Sequence, residues 1–309
     1  MSRFSAALQD YLAIRRALGF RLKLAGWVLT RFVVYADQVG AERITTDLAV
    51  AWATQPADAS PIWWKFRLNA VRAFAKHLQT LDPLTEIPPA DAVSAPKCRA
   101  APYFYSEAET LLLMEEAADL LPPFRGVTYQ TLIGLLAATG MRLGEAIRLE
   151  RQDVDWEHGV LTIRLSKFGK SRQIPVDPST LSALRTYDQA RDRLCSRPGA
   201  TSNLFVSIRG TQLLGPNVDR TFHQVAGRAG LRPRSARCRP RLHDLRHSFA
   251  IRTLLGWYRA GIDVQAMLPR LSTYLGHTNP ANTYWYLSAE PELLALAGQR
   301  LERVWGVTS

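Results

Sequence analysis

Residues 159–176 read GVLTIRLSKFGKSRQIPV. Gly159 to Ser166 is rich in aliphatic and β-branched residues, KFGK has the composition of a turn, and Arg172 to Val176 again suits an extended chain. The stretch therefore predicts a β-hairpin whose basic tip carries Lys167 and Lys170. Everything around it reads as helix. Upstream, Ser106 with Glu109 three residues later predicts a capped helix through Leu111, Leu112 and Met114, and the apolar run from Val127 to Ala138 predicts another that stops at Gly140. Downstream, apolar residues recurring about every 3.6 positions predict helices over 181–194, 218–229, 242–258, 264–268 and 291–304. One small hairpin amid helices predicts an α-dominated unit with a minor sheet.

The first 80 residues are helical throughout. Phe4, Leu8, Tyr11, Leu12 and Arg15 recur at helical spacing, as do Leu29, Phe32, Val33 and Ala36; Trp63 to Leu78 keeps the same period, and Thr46-Asp47 suits the cap of a short helix through Val50 and Trp52. Four or five short helices are expected here. Residues 82–102, DPLTEIPPADAVSAPKCRAAP, carry five prolines and no periodicity, which marks a linker. The predicted organisation is a helical unit over 1–85, a linker over 86–102 and a second unit over 103–309.

The 309 residues hold 39 Lys+Arg against 27 Asp+Glu, a net charge of +12, with 47% apolar residues, a composition that folds and that favours a polyanionic partner. Thirty-three of the basic residues are Arg, whose donor fork fits phosphate. The N-terminal segment lacks the apolar stretch of a signal peptide, and no run of about eighteen apolar residues occurs, so a cytoplasmic protein that spans no membrane is expected. Cys98, Cys195 and Cys238 lie too far apart in sequence for a C-x-x-C pair, which disfavours a disulfide framework or a cysteine-rich zinc site. Residues 228–252 contain eight arginines and one acid, Asp244, and within them Arg232, Arg234, Arg237, Arg239 and Arg241 form a candidate phosphate-contacting surface; a solvated loop is the plainer reading of the same residues. Arg15, Arg16, Lys65, Arg67 and Arg72 are the candidate contacts from the first unit, with Lys170 from the hairpin.

Three segments carry candidate chemistry. RLHDLRHSFA (241–250) sets His243 and Arg246 three apart, on one face of a helix starting near Leu242. ATGMRLGEAIRL (138–149) places Arg142 just past a Gly140 turn with Glu145 able to orient it. TYLGHTNPANTYWYLSAEPELL (273–294) puts His277 after a glycine, Asn279-Pro280 as a cap and first turn, and Tyr284 and Tyr286 on the helix beyond. Residues two apart on a helix point about 200° apart, so only one of these tyrosines can face a centre shared with the arginines. Taken singly, each has a plain structural reading: an ion pair for Arg142 and Glu145, a core histidine for His243, a helix cap for His277, a core aromatic for Tyr286 and solvated turn charges for Lys167 and Lys170.

Taken in order, these segments resemble the tyrosine recombinases, also called the phage integrase family, over almost the whole chain. ATGMRLGEAIRL matches the family's A-T-G-x-R-x-x-E-x-x-x-L with Arg142, SKFGKSRQIPV matches the hairpin lysine with Lys167, HDLRH matches H-x-L-R-H with His243 and Arg246 and with His247 as a structural neighbour, and LGH supplies His277. The family's nucleophile lies nine residues after that histidine, which selects Tyr286 over Tyr284. The resemblance implies a mainly α fold, with a helical DNA-binding domain followed by an integrase-like catalytic domain, and covalent strand cleavage that needs no metal or other cofactor. It assigns Tyr286 the attack on phosphorus to give a 3′-phosphotyrosine, Arg142 and Arg246 the clamping of the nonbridging oxygens, His277 a further hydrogen bond, His243 assistance in removing the tyrosine proton and Lys167 protonation of the departing 5′ oxygen. The partners it implies are double-stranded DNA with a specific recombination site, further protomers in a homotetramer on synapsed DNA, joined by the C-terminal helix 291–304, and accessory recombination proteins; the place is the nucleoid. TNPANTYWYLSAEPELL resembles members carried by transposons and plasmids. Two other functions fit parts of the pattern, namely relaxation of supercoils by a type IB topoisomerase and DNA binding by a regulator with a decayed site.

Overall fold

The computed structural model describes residues 2–20, 22–96, 101–164, 171–195, 197, 201–277, 279, 281–288, 293, 295 and 298. The chain divides into two compact units, Met1–Arg99 and Ala100–Ser309, so the break falls inside the proline-rich stretch. The expected disulfide-free cysteines are free thiols at Cys195 and Cys238, while Cys98 lies outside the described residues.

The described residues of the first unit form four helices, α1 (Arg3–Ala17), α2 (Lys23–Gln38), α3 (Thr46–Thr54) and α4 (Pro61–Gln79). Side-chain oxygens of Ser2, Thr45 and Ser60 accept backbone N–H groups at the starts of α1, α3 and α4, so the cap of α3 is Thr45, one residue before the expected pair. The apolar stripes meet in one core around Leu8, Leu29, Phe32, Val71 and Phe74. The chain beyond α4 stays on this unit: Glu86 accepts the Thr46 N–H at 2.7 Å, Arg72 donates to the Pro88 carbonyl at 2.9 Å, and Val93 is buried in the same core. The first part of the predicted linker is therefore packed structure.

The second unit begins with Tyr103 and Tyr105, whose backbone N–H groups donate to Asp244 and Ser248. Ser106 and Glu109 form the predicted capping box of α5 (Glu107–Ala118), and α6 (Pro123–Thr139) ends at Gly140 in the left-handed conformation, φ +60°. Following are α7 (Leu143–Ala146), a three-stranded antiparallel sheet in the order β1 (Val154–Asp155), β2 (Val160–Ile163), β3 (Arg172–Pro175), then α8 (Pro178–Leu194), α9 (Gly215–Arg228), α10 (Asp244–Arg259), α11 (Val264–Leu275) and α12 (Ala281–Tyr284), with a 3-10 turn over Trp285–Ser288. In the hairpin Leu161 pairs with Ile174 and Ile163 with Arg172; the two-residue β1 escaped the sequence reading because it is too short for a period. The tip residues Lys167 and Lys170 lie outside the described residues, as does most of the predicted helix 291–304. Of that helix's apolar stripe Leu293 is described, and it is buried against α10 and α11 in its own unit.

Helix α11 runs past the predicted stop at Leu268. Pro269 sits inside it and costs about 3 kcal/mol, but Leu268, Leu271 and Leu275 are each at most 3% exposed. Burying each is worth about 1.5–3 kcal/mol, so packing outweighs the break. The extension fixes where the helix ends, and that end organises the site. No helix among the described residues is long and apolar enough to cross a membrane.

Candidate active site

Three arginines from three elements converge on the last turn of α11. Arg172 on β3 donates Nε–H to the Tyr274 carbonyl at 2.8 Å, Arg246 on α10 donates Nη2–H to the Leu275 carbonyl at 2.7 Å, and Arg142, at the start of α7, donates Nη2–H to the Gly276 carbonyl at 2.8 Å. Helix C-termini leave such carbonyls without intrahelical partners and concentrate partial negative charge there, so guanidiniums are favoured ligands. Gly276 closes the helix at φ +66°, and a Cβ there would stand 2.8 Å from the Arg172 guanidinium. Arg246 reaches a second carbonyl, Gly140 O, at 2.8 Å; a Cβ on Gly140 would stand 2.5 Å from the Phe249 ring, so this turn too needs glycine.

Glu145 is the counterion. Its carboxylate, 2% exposed, accepts both Arg172 Nη groups (3.1 and 2.8 Å), Arg142 Nη1 (2.9 Å) and the Arg142 backbone N–H (2.9 Å). Burial alone would raise its pKa, but the Arg172 pair and the Arg142 contacts outweigh it and hold the acid at about 2. One negative charge thus sits among three positive ones. Arg246 is 3% exposed, and burial, with Arg142 nearby, brings its pKa down to about 10, which leaves it cationic at neutral pH.

His277 follows the turn directly. Burial, then the positive charges of Arg246 and Arg142, push its pKa down to about 4, so the ring is neutral at pH 7. Its Nδ1 lies 2.6 Å from the hydroxyl of Thr283, which is buried. Asn279 caps the next turn as expected, accepting the Ala281 N–H at 2.9 Å. The turn sends Tyr286 inward, 1% exposed, and leaves Tyr284 52% exposed, so the two tyrosines do face opposite ways. The Tyr286 ring stacks beside His277 at 6.2 Å, and its hydroxyl lies 2.9 Å from Nδ1 of His247.

The structure brings Arg142, Arg246, His277 and Tyr286 together with His243, which stands at the start of α10 and is exposed while Arg246, three residues on, is buried. Arg172, which the sequence reading did not single out, and His247, which it took only as a structural neighbour, complete the cluster. Arg172 shares the inward face of β3 with the buried Ile174, and an arginine in phase with a core residue was the available signal. His247 lies one turn beyond His243 on α10 and its ring meets the His243 ring edge-on at 5.1 Å. Among the described residues no three His, Cys, Asp or Glu side chains gather to hold a metal ion.

Residues 105–292 match the sequence pattern of the phage integrase family. The chain belongs to that family, the tyrosine recombinases. A Sinorhizobium fredii protein with the provisional name integrase/recombinase y4rB is 43% identical to this integrase-family chain and aligns over 99% of both. The tyrosine recombinase XerC of Chlorobaculum parvum is 30% identical over 71% of this chain and 67% of its own. In fold, the chain is similar to the Tn1549 transposon integrase solved in complex with transposon right end DNA, with a TM-score of 0.66 and 16% identity over 96% of this chain and 98% of that one. The mainly α fold with a small antiparallel sheet is the integrase fold.

The candidate DNA-contacting arginines divide by their surroundings. Arg232, Arg237 and Arg239 are exposed, as is Arg16 in the first unit. Arg234 lies over the Tyr103 ring and pairs with Glu109 at 3.3 Å, and Arg241 forks onto the fully buried Asp244 at 2.8 and 3.0 Å. In the first unit Arg67 lies over Trp52 and donates to its carbonyl, Arg72 holds Pro88, Arg15 lies over Phe20, and Lys65 is half-buried.

Proposed function

We propose that this chain is a site-specific DNA recombinase, cutting and rejoining DNA through a 3′-phosphotyrosyl bond at Tyr286 in the service of integration, excision or transposition. The observation that carries the reading is the convergence of Arg142 and Arg246 on one helix end, with His277 next in sequence and Tyr286 seated beside it. In each of the two arginines the contacts to protein use part of a five-donor fork, and the remaining N–H groups suit the nonbridging oxygens of a phosphodiester, whose charge grows as a fifth oxygen bonds to phosphorus. His277 is neutral, and in the tautomer in which the Thr283 hydroxyl donates to Nδ1 its proton sits on Nε2, free to be given as a further hydrogen bond. Lys167, expected from the sequence at the hairpin tip, protonates the departing 5′ oxygen. His243 approaches the same phosphate from the exposed side.

The first unit, Met1–Arg99, acts as the core-binding domain, and Arg16, Arg232, Arg237 and Arg239, exposed and basic, contact the backbone of a duplex with a specific recombination site. Two duplexes and four strand cuts require four protomers, so the working form is a homotetramer on synapsed DNA, linked through the C-terminal helix and assisted where needed by accessory proteins at the nucleoid. The similarity to y4rB and to a transposon integrase supports a mobile-element programme. The burial of Leu293 in its own unit favours a second reading, monomeric supercoil relaxation of the type IB topoisomerase kind.

The test is trapping on a suicide substrate. Tyr286→Phe removes the attacking oxygen and keeps the ring, so it should abolish the covalent adduct on a denaturing gel and leave DNA affinity near wild type, while Tyr284→Phe should retain most activity. An adduct in Tyr286→Phe sinks the assignment. Relaxation of supercoiled DNA at one protomer per site, without strand exchange, would favour the topoisomerase reading.

A further inference from the structure

We infer that His247, rather than His243, accepts the proton of Tyr286 when that tyrosine attacks phosphorus. The inference rests on the reading of Tyr286 as nucleophile. The Tyr286 side chain is buried, the residue being 1% exposed, so its hydroxyl is shielded from bulk water and a protein group in contact must take its proton. His247 Nδ1 is in contact at 2.9 Å and accepts when the imidazole carries its own proton on Nε2. His243, one helical turn earlier and exposed, is placed for the DNA side of the site. The half-buried His247 ring is held by Tyr286 and Trp285, at centroid distances of 5.5 and 5.7 Å, with the His243 edge at 5.1 Å. Its orientation toward the hydroxyl is therefore built into the packing.

The step balances as follows. A lone pair on the Tyr286 oxygen forms the bond to the scissile phosphorus and the phenolic proton passes to His247 Nδ1; the bond from phosphorus to the 5′ oxygen breaks, and that oxygen leaves with its electron pair and takes a proton from the acid proposed above, Lys167. Religation runs the same path backward. The attacking 5′ hydroxyl gives up its proton, the bond from phosphorus to Tyr286 breaks, and imidazolium at His247 returns the proton to the phenolate. One imidazole serves both directions because each ends with the proton where the other begins.

Single-turnover cleavage at saturating protein is the measurement. His247→Asn puts an amide oxygen where Nδ1 stands, keeping an acceptor for the hydroxyl but not a base that can hold the proton. It should bind DNA with unchanged affinity and cleave about 100-fold more slowly, in line with the loss of a general base. Replacing Tyr286 in that variant by a trifluorinated tyrosine, whose phenol is far more acidic, should restore at least tenfold, and added imidazole should rescue His247→Ala in the same way. Neither should rescue Arg142→Ala. Cleavage by His247→Asn at the wild-type rate would overturn the inference by showing that His247 only holds the hydroxyl, and so would a defect that neither fluorination nor imidazole relieves. Both outcomes are read from the Tyr286 adduct itself, whereas an adduct in Tyr286→Phe would overturn the nucleophile reading instead.

Discussion

Glu145 and His277 feel the charge of the same arginine cluster and respond to it in opposite ways. The carboxylate, whose pKa falls from 4.5 to about 2, adds stability at pH values above its unfolded pKa and loses it as the pH drops through about 2. The imidazole, moved from 6.5 to about 4, is favoured neutral in the fold, so its contribution is present above 6.5 and drains away as the pH falls from 6.5 toward 4. Acid unfolding should therefore begin with His277. His277→Gln should flatten the loss of stability between pH 6.5 and 4, a difference on the order of 1 kcal/mol once partial solvent contact is allowed for. Glu145→Gln should flatten the fall below pH 4.5 and lower stability at pH 7 by roughly 3 kcal/mol. Chemical denaturation across that range checks both, and a His277→Gln curve parallel to wild type would contradict the first. Arg142, Arg246, His277 and Tyr286 were legible in the sequence because their spacing is local to short motifs. Arg172 was not, and His247 was read only as a structural neighbour, since their meaning depends on partners about a hundred and about forty residues away.

Helix α11 shows what local signals leave out. The sequence reading ended it at Leu268, just before Pro269, whereas the buried leucines beyond that proline carry it to the Gly276 cap, and the site depends on that longer version. The capping box at Ser106, the stop at Gly140 and both hairpin strands were readable, each being settled by neighbours within a few residues. A test at the element scale follows from Gly276. Alanine there must adopt φ +66° and its Cβ would stand 2.8 Å from the Arg172 guanidinium, whereas Gly230, at φ +70°, has no atom within 4 Å of such a Cβ. Both alanine variants should lose about 1 kcal/mol for the left-handed backbone. Only Gly276→Ala should also slow cleavage, by at least about tenfold, because it displaces an arginine from the cluster. Single-turnover rates set beside thermal melts would separate the two effects, and equal cleavage rates in both variants would show that Arg172 does not support the site.

At the scale of the whole molecule, a net charge of +12 signalled a polyanionic partner without showing which arginines meet it. The fold sorts them. Arg241 is committed to the fully buried Asp244, so Arg241→Ala should lower the melting temperature and cost about 1–3 kcal/mol, whereas the exposed Arg237 should leave stability alone and, as Arg237→Ala, weaken DNA binding and reduce its dependence on salt. Affinity measured at several salt concentrations, beside melts of the free protein, checks the pair; an undisturbed melt for Arg241→Ala would contradict it. The division into two units was visible as a shift in composition, but the attachment of Glu86 to Val93 to the first unit was hidden by a proline-rich stretch that looks like a linker and packs like a strap. The last turn of α11 has one more consequence, best put as a matter of tolerances. Three parts fastened separately would accumulate three independent errors of position. Fastened to consecutive carbonyls of a single turn, Arg172, Arg246 and Arg142 share one error: a small drift of that helix end carries the cradle with it as a piece, and the spacing between the forks survives the movement.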